Sequence, residues 1–209
     1  MRALIIIDVQ NDFCPGGNLA VPDGDAVVPI VNKVAGRFDR VVLTQDWHPP
    51  GHSSFASSHP DIEPYDTIEL GYGEQVLWPD HCVQGTRGAE FHPDLDVTPG
   101  QMIVRKGFRK DVDSYSAFYE NDHQTPTGLT GYLRERGIDV IYLAGLALDY
   151  CVHWSAVDGL KQGFDVVVIE DATRAIDSDG SRDQALRRMR NSGVRFVQSA
   201  ELDAENGGR

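Results

Sequence analysis

The sequence predicts an α/β protein of three layers, in which helices cover both faces of a mostly parallel, six-stranded sheet. Short apolar runs alternate along the chain with segments whose apolar residues recur at helical spacing. Residues 3–7 are apolar throughout, which is typical of a parallel strand buried on both faces. Because helical segments separate the strands, right-handed βαβ crossovers are expected.

The remaining predicted strands are short apolar runs at residues 40–44, 102–104, 140–144, 166–169 and 194–197. The predicted helices lie at residues 26–38, 129–136, 150–162 and 181–190. In the first helix, Val27, Val31 and Val34 share one face. The second and third helices each stop at a glycine, Gly137 and Gly163, which favours helix termination.

Length and composition indicate one folded unit. The chain has 209 residues, of which 41% are hydrophobic and 24% charged, enough to bury a core and too apolar for a disordered chain. We therefore expect a single domain over residues 1–200 and a flexible, polar tail at 201–209. A formal net charge of -13 repels phosphate backbones and argues against nucleic-acid binding.

The sequence indicates a cytoplasmic protein. No apolar stretch approaches the roughly 18 residues of a transmembrane helix, so no membrane partner is expected. The N-terminal apolar run is short and is followed directly by Asp8, which is unlike a signal peptide. The three cysteines have unrelated spacings and predict no disulfide framework.

One long segment, residues 46–100, shows little periodicity and holds most of the histidines and prolines. Loops beyond roughly 12–15 residues without structure of their own are uncommon and usually functional. The alternative is that the segment contains short strands or helices that the pattern does not reveal. Both can hold, and the residue types favour a site.

Reactive side chains follow four of the predicted strands. Asp8 follows the first strand, Asp46 and His48 the second, Lys106 the third and Cys151 the fourth. In an open α/β sheet, ligands bind outside the carboxyl ends of the strands. The sequence therefore predicts that an acid, a ligand pair, an amine and a thiol meet at one rim.

Cys151 is the candidate nucleophile. Asp149 could cap the following helix, placing Cys151 in its first turn, where the helix dipole favours a thiolate. A buried, inert cysteine is the alternative. Asp8 is the candidate base, and Lys106 the candidate group that stabilises charge, with Lys110 as a rival amine.

Asp46 and His48 are candidate metal ligands, because residues two apart in an extended segment point to the same side. A two-histidine, one-carboxylate set leaves open positions for water. The sequence does not identify the third ligand; the candidates are four histidines of the loop, His52, His59, His81 and His92. Phe13, Trp78 and Tyr115 offer aromatic faces that could hold a flat ring, although each could equally be ordinary packing.

A series of motifs resembles the nicotinamidase (pyrazinamidase) group of the isochorismatase-like cysteine hydrolases. The motifs occur in order and cover residues 1 to about 198; they are Asp8-Val-Gln-Asn-Asp-Phe13, Asp46-Trp-His48-Pro, Ser54-Phe-Ala, Trp78-Pro-Asp-His81-Cys-Val-Gln-Gly-Thr, Arg105-Lys106-Gly, Asp113-Ser-Tyr-Ser-Ala-Phe118 and Gly145-Leu-Ala-Leu-Asp-Tyr-Cys151-Val. The resemblance implies an isochorismatase-like, Rossmann-like fold. It also implies hydrolysis of nicotinamide to nicotinate and ammonia in NAD salvage, with pyrazinamide as a second substrate.

The resemblance also assigns roles. It implies a triad of Asp8, Lys106 and Cys151 that acts through a thioester, and an oxyanion hole from the N–H groups of Ala147 and Cys151, with a cis peptide before Ala147.

For ligands, the resemblance implies one divalent metal on Asp46, His48 and His81, with Ser54 through a water or His52 as a fourth. Zinc is the first choice, ahead of iron or manganese. Phe13 and Trp78 would hold the substrate ring. Leu148 departs from the usual threonine and is expected to tune the pocket.

Two other functions are alternatives to nicotinamide hydrolysis. A related amidohydrolase acting on carbamoyl or ureido compounds would generally lack the metal set. A binding protein on the same fold would be expected to have lost a triad residue, and all three are present. The sequence leaves open whether the protein is a monomer or a homodimer.

Overall fold

The computed structural model describes residues 1–202. Its strands are β1 (Arg2–Ile7), β2 (Val41–Asp46), β3 (Thr67–Leu70), β4 (Gly73–Val76), β5 (Gly100–Lys106), β6 (Val140–Leu146), β7 (Asp165–Arg174) and β8 (Arg195–Val197). Its α-helices are α1 (Val27–Ala35), α2 (Leu129–Glu135), α3 (His153–Lys161) and α4 (Ser181–Ser192). Six strands form one sheet in the order β5-β2-β1-β6-β7-β8, and every pairing in it is parallel.

Alternation along the central strands divides the core between the two faces of the sheet. In β1, Leu4 and Ile6 pack in a cluster with the apolar face of α1. Ala3, Ile5 and Ile7 point the other way, into a cluster that includes residues of α2, α3 and α4. The three-layer α/β fold predicted from the sequence is therefore confirmed.

The predicted elements are all present, with shifted ends. The third helix begins at His153 rather than at residue 150, because Leu148–Val152 first forms a wider π-helical turn. The first helix ends at Ala35 rather than at residue 38. Strand β7 continues to Arg174, five residues beyond the predicted run.

The long segment at residues 46–100 contains structure that the pattern did not predict. An antiparallel hairpin of β3 and β4 stands apart from the main sheet. The rest consists of turns and two short 3₁₀-helices, Ala56–Ser58 and Arg87–Ala89. Some of its backbone hydrogen bonds reach the ends of the main strands, such as Trp47 N–H to the carbonyl of Lys106 at 2.9 Å. The alternative that the segment contains short strands and helices is therefore confirmed.

The last described residues pack against the body of the protein. Ser199–Glu201 forms a short turn and Leu202 is fully buried. The remainder of the predicted tail, residues 203–209, lies outside the described residues. Among residues 1–202, no helix has the length and apolarity needed to cross a bilayer.

Candidate active site

The predicted acid, amine and thiol meet at the carboxyl edge of the sheet. Asp8 follows β1, Lys106 ends β5, and Cys151 lies in the π-turn after β6. Asp8 is fully buried and Lys106 is 1% exposed. Asp8 has a φ of 46°, a left-handed conformation in which the chain turns away at the strand end. The parallel topology thus brings together residues that are up to 143 positions apart.

Lys106 is the centre of this cluster. Its Nζ lies 2.8 Å from Oδ2 of Asp8 and 3.6 Å from Sγ of Cys151. It also donates to the carbonyl of Ser114 at 3.0 Å. The rival amine, Lys110, is exposed to solvent. The geometry therefore favours Lys106 over Lys110 as the amine of the cluster.

Burial and charge act in opposite directions on the three groups. Burial raises the pKa of Asp8, and Lys106 only partly counters it. Burial also raises the pKa of the Cys151 thiol well above its usual value, against the lowering effect of Lys106. Burial alone would lower the pKa of Lys106, but Asp46 and Asp8 raise it well above the ordinary value. The cluster therefore holds a firmly charged ammonium beside a protonated thiol.

The sequence-based expectation of a thiolate favoured by a helix dipole is corrected here. Cys151 is in the π-turn Leu148–Val152 and precedes α3. Asp149 does not cap this turn; its carboxylate accepts hydrogen bonds from the N–H groups of Ile176 and Asp177 at 3.1 and 2.8 Å. Burial dominates the thiol, so a neighbouring base must take its proton.

Asp46, His48 and His81 form a second buried cluster beside the first. Oδ2 of Asp46 lies 3.0 Å from Nε2 of His48 and 3.3 Å from Nε2 of His81. The opposite ring nitrogens face backbone carbonyls: Nδ1 of His48 lies 3.0 Å from the carbonyl of Gly107, and Nδ1 of His81 lies 2.8 Å from that of Pro79.

This donor set suits a divalent transition metal. Each Nδ1 is placed to donate its proton to a carbonyl, which leaves both Nε2 atoms as acceptors that converge on a carboxylate oxygen. A cation is the natural partner of three convergent acceptors. Burial favours the neutral acid, but the pKa of Asp46 lies well below its usual value even when the buried Lys106 ammonium, 2.9 Å from Oδ1, is the charge beside it, so the carboxylate is ionised for ligation.

Backbone pairing selects the third member of the set. The N–H of His48 donates to the carbonyl of Cys82 at 3.0 Å, and Gln84 N–H donates to the carbonyl of His48 at 2.8 Å. This short parallel contact places His81 beside residues 46–48. Neither His59 nor His92 belongs to the group of side chains close enough to share an ion with Asp46.

His52 lies next to the set but is otherwise occupied. Its Nε2 faces the carbonyl of Arg109 at 2.8 Å, and its Nδ1 faces the hydroxyl of Ser54 at 2.7 Å. His52 forms a second possible ligand group with His48 and Asp113, in which all three are buried. The geometry places Ser54 and His52 as one hydrogen-bonded pair beside the Asp46, His48 and His81 set.

A cavity opens onto both clusters. Polar groups on its wall come from the two clusters and from one further acid; they are Asp46, His81, Asp113 and Cys151. The other lining residues are apolar or aromatic; they are Phe13, Leu19, Trp78, Tyr115, Ala147, Tyr150 and Ile176. Aromatic walls with a few convergent polar groups are typical of a small-molecule site.

The three aromatic residues expected to hold a ring all line this cavity. Trp78 donates from Nε1 to the hydroxyl of Tyr115 at 3.1 Å, and its ring meets that of Tyr150 edge-on at 4.8 Å. Phe13 packs against the His81 ring with centroids 5.5 Å apart. Contacts among these aromatic rings therefore hold the walls of the cavity in place.

Sequence reasoning missed four of the lining residues. Asp113 stands in a motif that was noted, and Tyr150 precedes Cys151, so both carried a signal. Leu19 and Ile176 carried none, because they reach the cavity only through tertiary packing. Asp113 is buried, with Oδ1 3.9 Å from Nε2 of His48 and Oδ2 3.0 Å from Nε2 of Gln75.

The peptide between Leu146 and Ala147 is cis, as expected, and Ala147 lines the cavity. Leu148, expected to tune the pocket, instead packs in the core cluster that includes residues of α2 and α4. It is not among the residues that line the cavity described above. Leu148 therefore contributes to the core rather than to the cavity wall.

Together, the fold and the cavity define a class: parallel α/β proteins whose acid, lysine and thiol meet at the carboxyl edge of the sheet beside a two-histidine, one-carboxylate set. The family model described as the isochorismatase domain matches residues 2–201. The chain belongs to the isochorismatase family.

Within this family, the chain is similar to proteins named as nicotinamidases and pyrazinamidases. The chain is 54% identical over 200 residues to a nicotinamidase of Acinetobacter baylyi, covering 96% of this chain and 94% of the relative. It superimposes with a TM-score of 0.95 on the nicotinamidase/pyrazinamidase of Acinetobacter baumannii, at 59% identity and covering 96% and 97% of the two chains. A zinc complex of the pyrazinamidase of Pyrococcus horikoshii matches at 37% identity and a TM-score of 0.77, covering 94% and 98%.

Proposed function

We propose that the protein is a nicotinamidase that hydrolyses nicotinamide to nicotinate and ammonia, a reaction of NAD salvage, and that it also accepts pyrazinamide. The observation that carries the proposal is the cavity itself. The wall includes the thiol of Cys151, which contacts Lys106 behind it, and Asp46 and His81 of the two-histidine, one-carboxylate set, and aromatic rings form much of the remainder. A flat ring bearing a carboxamide and a basic nitrogen matches all three features.

The triad residues have distinct tasks in the first half of the reaction. The carboxylate of Asp8, which contacts the same Lys106 ammonium as the thiol of Cys151, takes the thiol proton as the sulfur attacks the amide carbon. Lys106 holds both anions by charge through its contacts at 2.8 and 3.6 Å. The N–H groups of Ala147 and Cys151 are the proposed donors to the developing oxyanion.

Collapse of the tetrahedral adduct breaks the carbon–nitrogen bond. The leaving nitrogen takes the proton from Asp8 and departs as ammonia, which leaves a thioester on Cys151. A water then attacks the thioester carbon and gives its proton to Asp8. The sulfur leaves as thiolate and takes that proton from Asp8, which regenerates the free thiol. The nicotinic acid formed at the same time loses its remaining hydroxyl proton to solvent and is released as nicotinate.

The residues that would hold the metal are Asp46, His48 and His81. A divalent ion held there, zinc in the first instance and iron or manganese as alternatives, would act as a Lewis acid toward the ring nitrogen of the substrate. The pair of His52 and Ser54 would contribute a fourth partner through a water, because His52 uses both of its ring nitrogens in the hydrogen bonds described above.

An ammonia-release assay that compares nicotinamide with benzamide tests the proposal. Benzamide has the same shape without the ring nitrogen, so we expect it to be a much poorer substrate, with the deficit mainly in KM. His48→Ala or chelation should weaken nicotinamide turnover and shrink the preference, whereas His92→Ala, outside the set, should change neither. Equal rates on both amides, or purified protein without a transition metal, would favour an amidohydrolase acting on carbamoyl compounds.

A further inference from the structure

The hydroxyl of Thr44 makes two hydrogen bonds with one residue, Asp8. Its Oγ1 accepts the backbone N–H of Asp8 at 3.2 Å and lies 2.6 Å from Oδ1 of the same residue. Thr44 is in β2 next to the end of β1 and has no exposed surface. Both bonds are therefore shielded from competition by solvent.

Counting protons fixes the direction of the shorter bond. A threonine hydroxyl has one proton to donate. Because the N–H of Asp8 already uses Oγ1 as an acceptor, the hydroxyl proton is directed to Oδ1. A separation of 2.6 Å is typical of a hydroxyl that donates to an ionised carboxylate. A proton on Oδ1 would leave the Thr44 hydroxyl hydrogen without this acceptor in a buried place.

The two oxygens of Asp8 consequently differ. Oδ1 is occupied by Thr44, whereas Oδ2 lies 2.8 Å from Nζ of Lys106. Sγ of Cys151 lies 3.6 Å from the same Nζ, so the thiol and Oδ2 of Asp8 have the lysine as a common neighbour. Oδ2 is thus the oxygen that faces the lysine and has not been taken by a hydroxyl donor.

We propose that Thr44 is a positioning residue that reserves Oδ2 of Asp8 for the proton of Cys151. The proposal rests on the proposed function, because it concerns the first step of that reaction. In this step the S–H bond breaks, its proton moves to Oδ2, and the sulfur electron pair forms the bond to the amide carbon. The carbonyl π pair moves to oxygen, and the same Oδ2 later returns the proton to the departing ammonia.

A purely structural role for Thr44 makes a different prediction. If the hydroxyl serves only to satisfy the buried N–H of Asp8, its loss lowers stability but leaves each folded molecule fully active. If it assigns the oxygens of Asp8, its loss slows proton transfer from Cys151 in molecules that are still folded. Measurements of kcat and of thiol reactivity therefore distinguish the two roles.

The test compares Thr44→Val, which removes the hydroxyl at nearly constant shape, with Thr44→Ser, which keeps it. Thr127→Val is the matched control. Thr127 donates to the carbonyl of Ala117 at 2.6 Å and accepts the N–H of Leu129 at 3.3 Å, the same pattern away from Asp8. For each full-length protein, we would measure kcat and KM for nicotinamide, the rate of Cys151 alkylation by iodoacetamide, and Tm.

For Thr44→Val we expect kcat to fall by about 10- to 100-fold, the span of a lost hydrogen bond to a charged group. Alkylation of Cys151 should slow in parallel and KM should change little. Thr44→Ser should recover most of both rates, and Thr127→Val should resemble the wild type. If Thr44→Val is not obtained folded, Thr44→Ala replaces it with the same expectations.

A valine variant with wild-type kcat and alkylation, whatever its Tm, would overturn the proposal, as would a serine variant as slow as the valine variant. The alkylation rate needs no amide substrate. A wild type that does not hydrolyse nicotinamide would therefore count against the proposed function, while the alkylation series would still decide the role of Thr44.

Discussion

The ammonium group of Lys106 lies 2.9 Å from Oδ1 of Asp46, so the lysine that contacts the thiol also contacts the carboxylate of the histidine set. Asp46 divides its oxygens between the two clusters, because Oδ2 faces the Nε2 atoms of His48 and His81. The buried ion pair of Lys106 and Asp46 therefore links the nucleophile to the candidate metal ligands. A substitution in one cluster should alter the charge balance of the other.

The first prediction concerns the three cysteines. Thiol alkylation should inactivate the protein and label Cys151 ahead of Cys14 and Cys82. Cys151 faces the cavity and lies beside a base. Burial raises the pKa of all three thiols, but of the three only Cys151 lines the cavity, so access and the neighbouring base should decide the order of labelling. Peptide mapping by mass spectrometry would show the order of labelling.

Two variants complete this test. Cys151→Ala should lose turnover and keep its Tm within a few degrees, since one small side chain is shortened, while Cys14→Ala should remain active. Label that arrives first on Cys82, or turnover that survives in Cys151→Ala, would contradict the covalent mechanism.

The second prediction separates the two lysines. Lys106→Ala should lower kcat/KM by about 100-fold or more, the loss expected when a charged group leaves a dry site. Because Asp8 and Asp46 would then be buried without their cation, unfolding free energy should also fall by about 3–5 kcal/mol. Lys110→Ala, at an exposed position, should leave both quantities near wild type. The opposite ranking would show that the wrong amine has been assigned.

The third prediction uses two glycines with nearly the same backbone. Gly107 has a φ of +64°, and a Cβ there would lie 2.4 Å from Cε1 of the His48 ring. Gly137 has a φ of +63°, and a Cβ there would meet only Cε of Met1, at 3.6 Å. Both alanine variants carry the cost of a left-handed alanine, of order 1 kcal/mol, but only Gly107→Ala should displace His48.

We therefore expect Gly107→Ala to lose metal affinity and Gly137→Ala to keep it, as measured by metal content and competition with a chelator. If the two variants bind metal equally, His48 does not depend on this close approach. Equal metal loss in both would instead point to a general effect of the left-handed alanine.

The fourth prediction is a dependence of stability on pH that arises at His153. Burial, assisted by Arg188, lowers the pKa of this histidine to about 4, although Asp149 and Asp158 act the other way. The unfolded chain, with a histidine pKa near 6.5, binds more protons between these values, so stability falls as pH falls. The full stabilisation is present above about pH 6.5, and about 3 kcal/mol of it is lost by pH 4.

Denaturant unfolding of the wild type and of His153→Gln from pH 7.5 to 4 would measure this. The difference in unfolding free energy between the two should shrink as pH falls, because the glutamine does not titrate. A difference that stays constant across this range would exclude His153 as the source.

The sequence by itself determined the layers of this protein and the side chains that end its strands. A strand buried on both faces must be apolar throughout, so β1 and β6 can be recognised in the sequence as continuous apolar runs. The place where each run ends marks the carboxyl edge of the sheet. Asp8, Asp46, Lys106 and Cys151 could be named because they lie at or within a few residues of these strand ends. The hairpin of β3 and β4 could not be foreseen, because each strand is four residues long and partly exposed.

Only the tertiary structure decided which residues act together. Four loop histidines were equal candidates in the sequence, and the backbone contact between His48 and Cys82 placed His81 beside Asp46. The pKa of Cys151 likewise depends on how deeply the turn after β6 is buried, which outweighs its position before a helix. Local pattern fixes a residue's strand and face, whereas distances between side chains and the loss of water around them arise only when distant segments pack together.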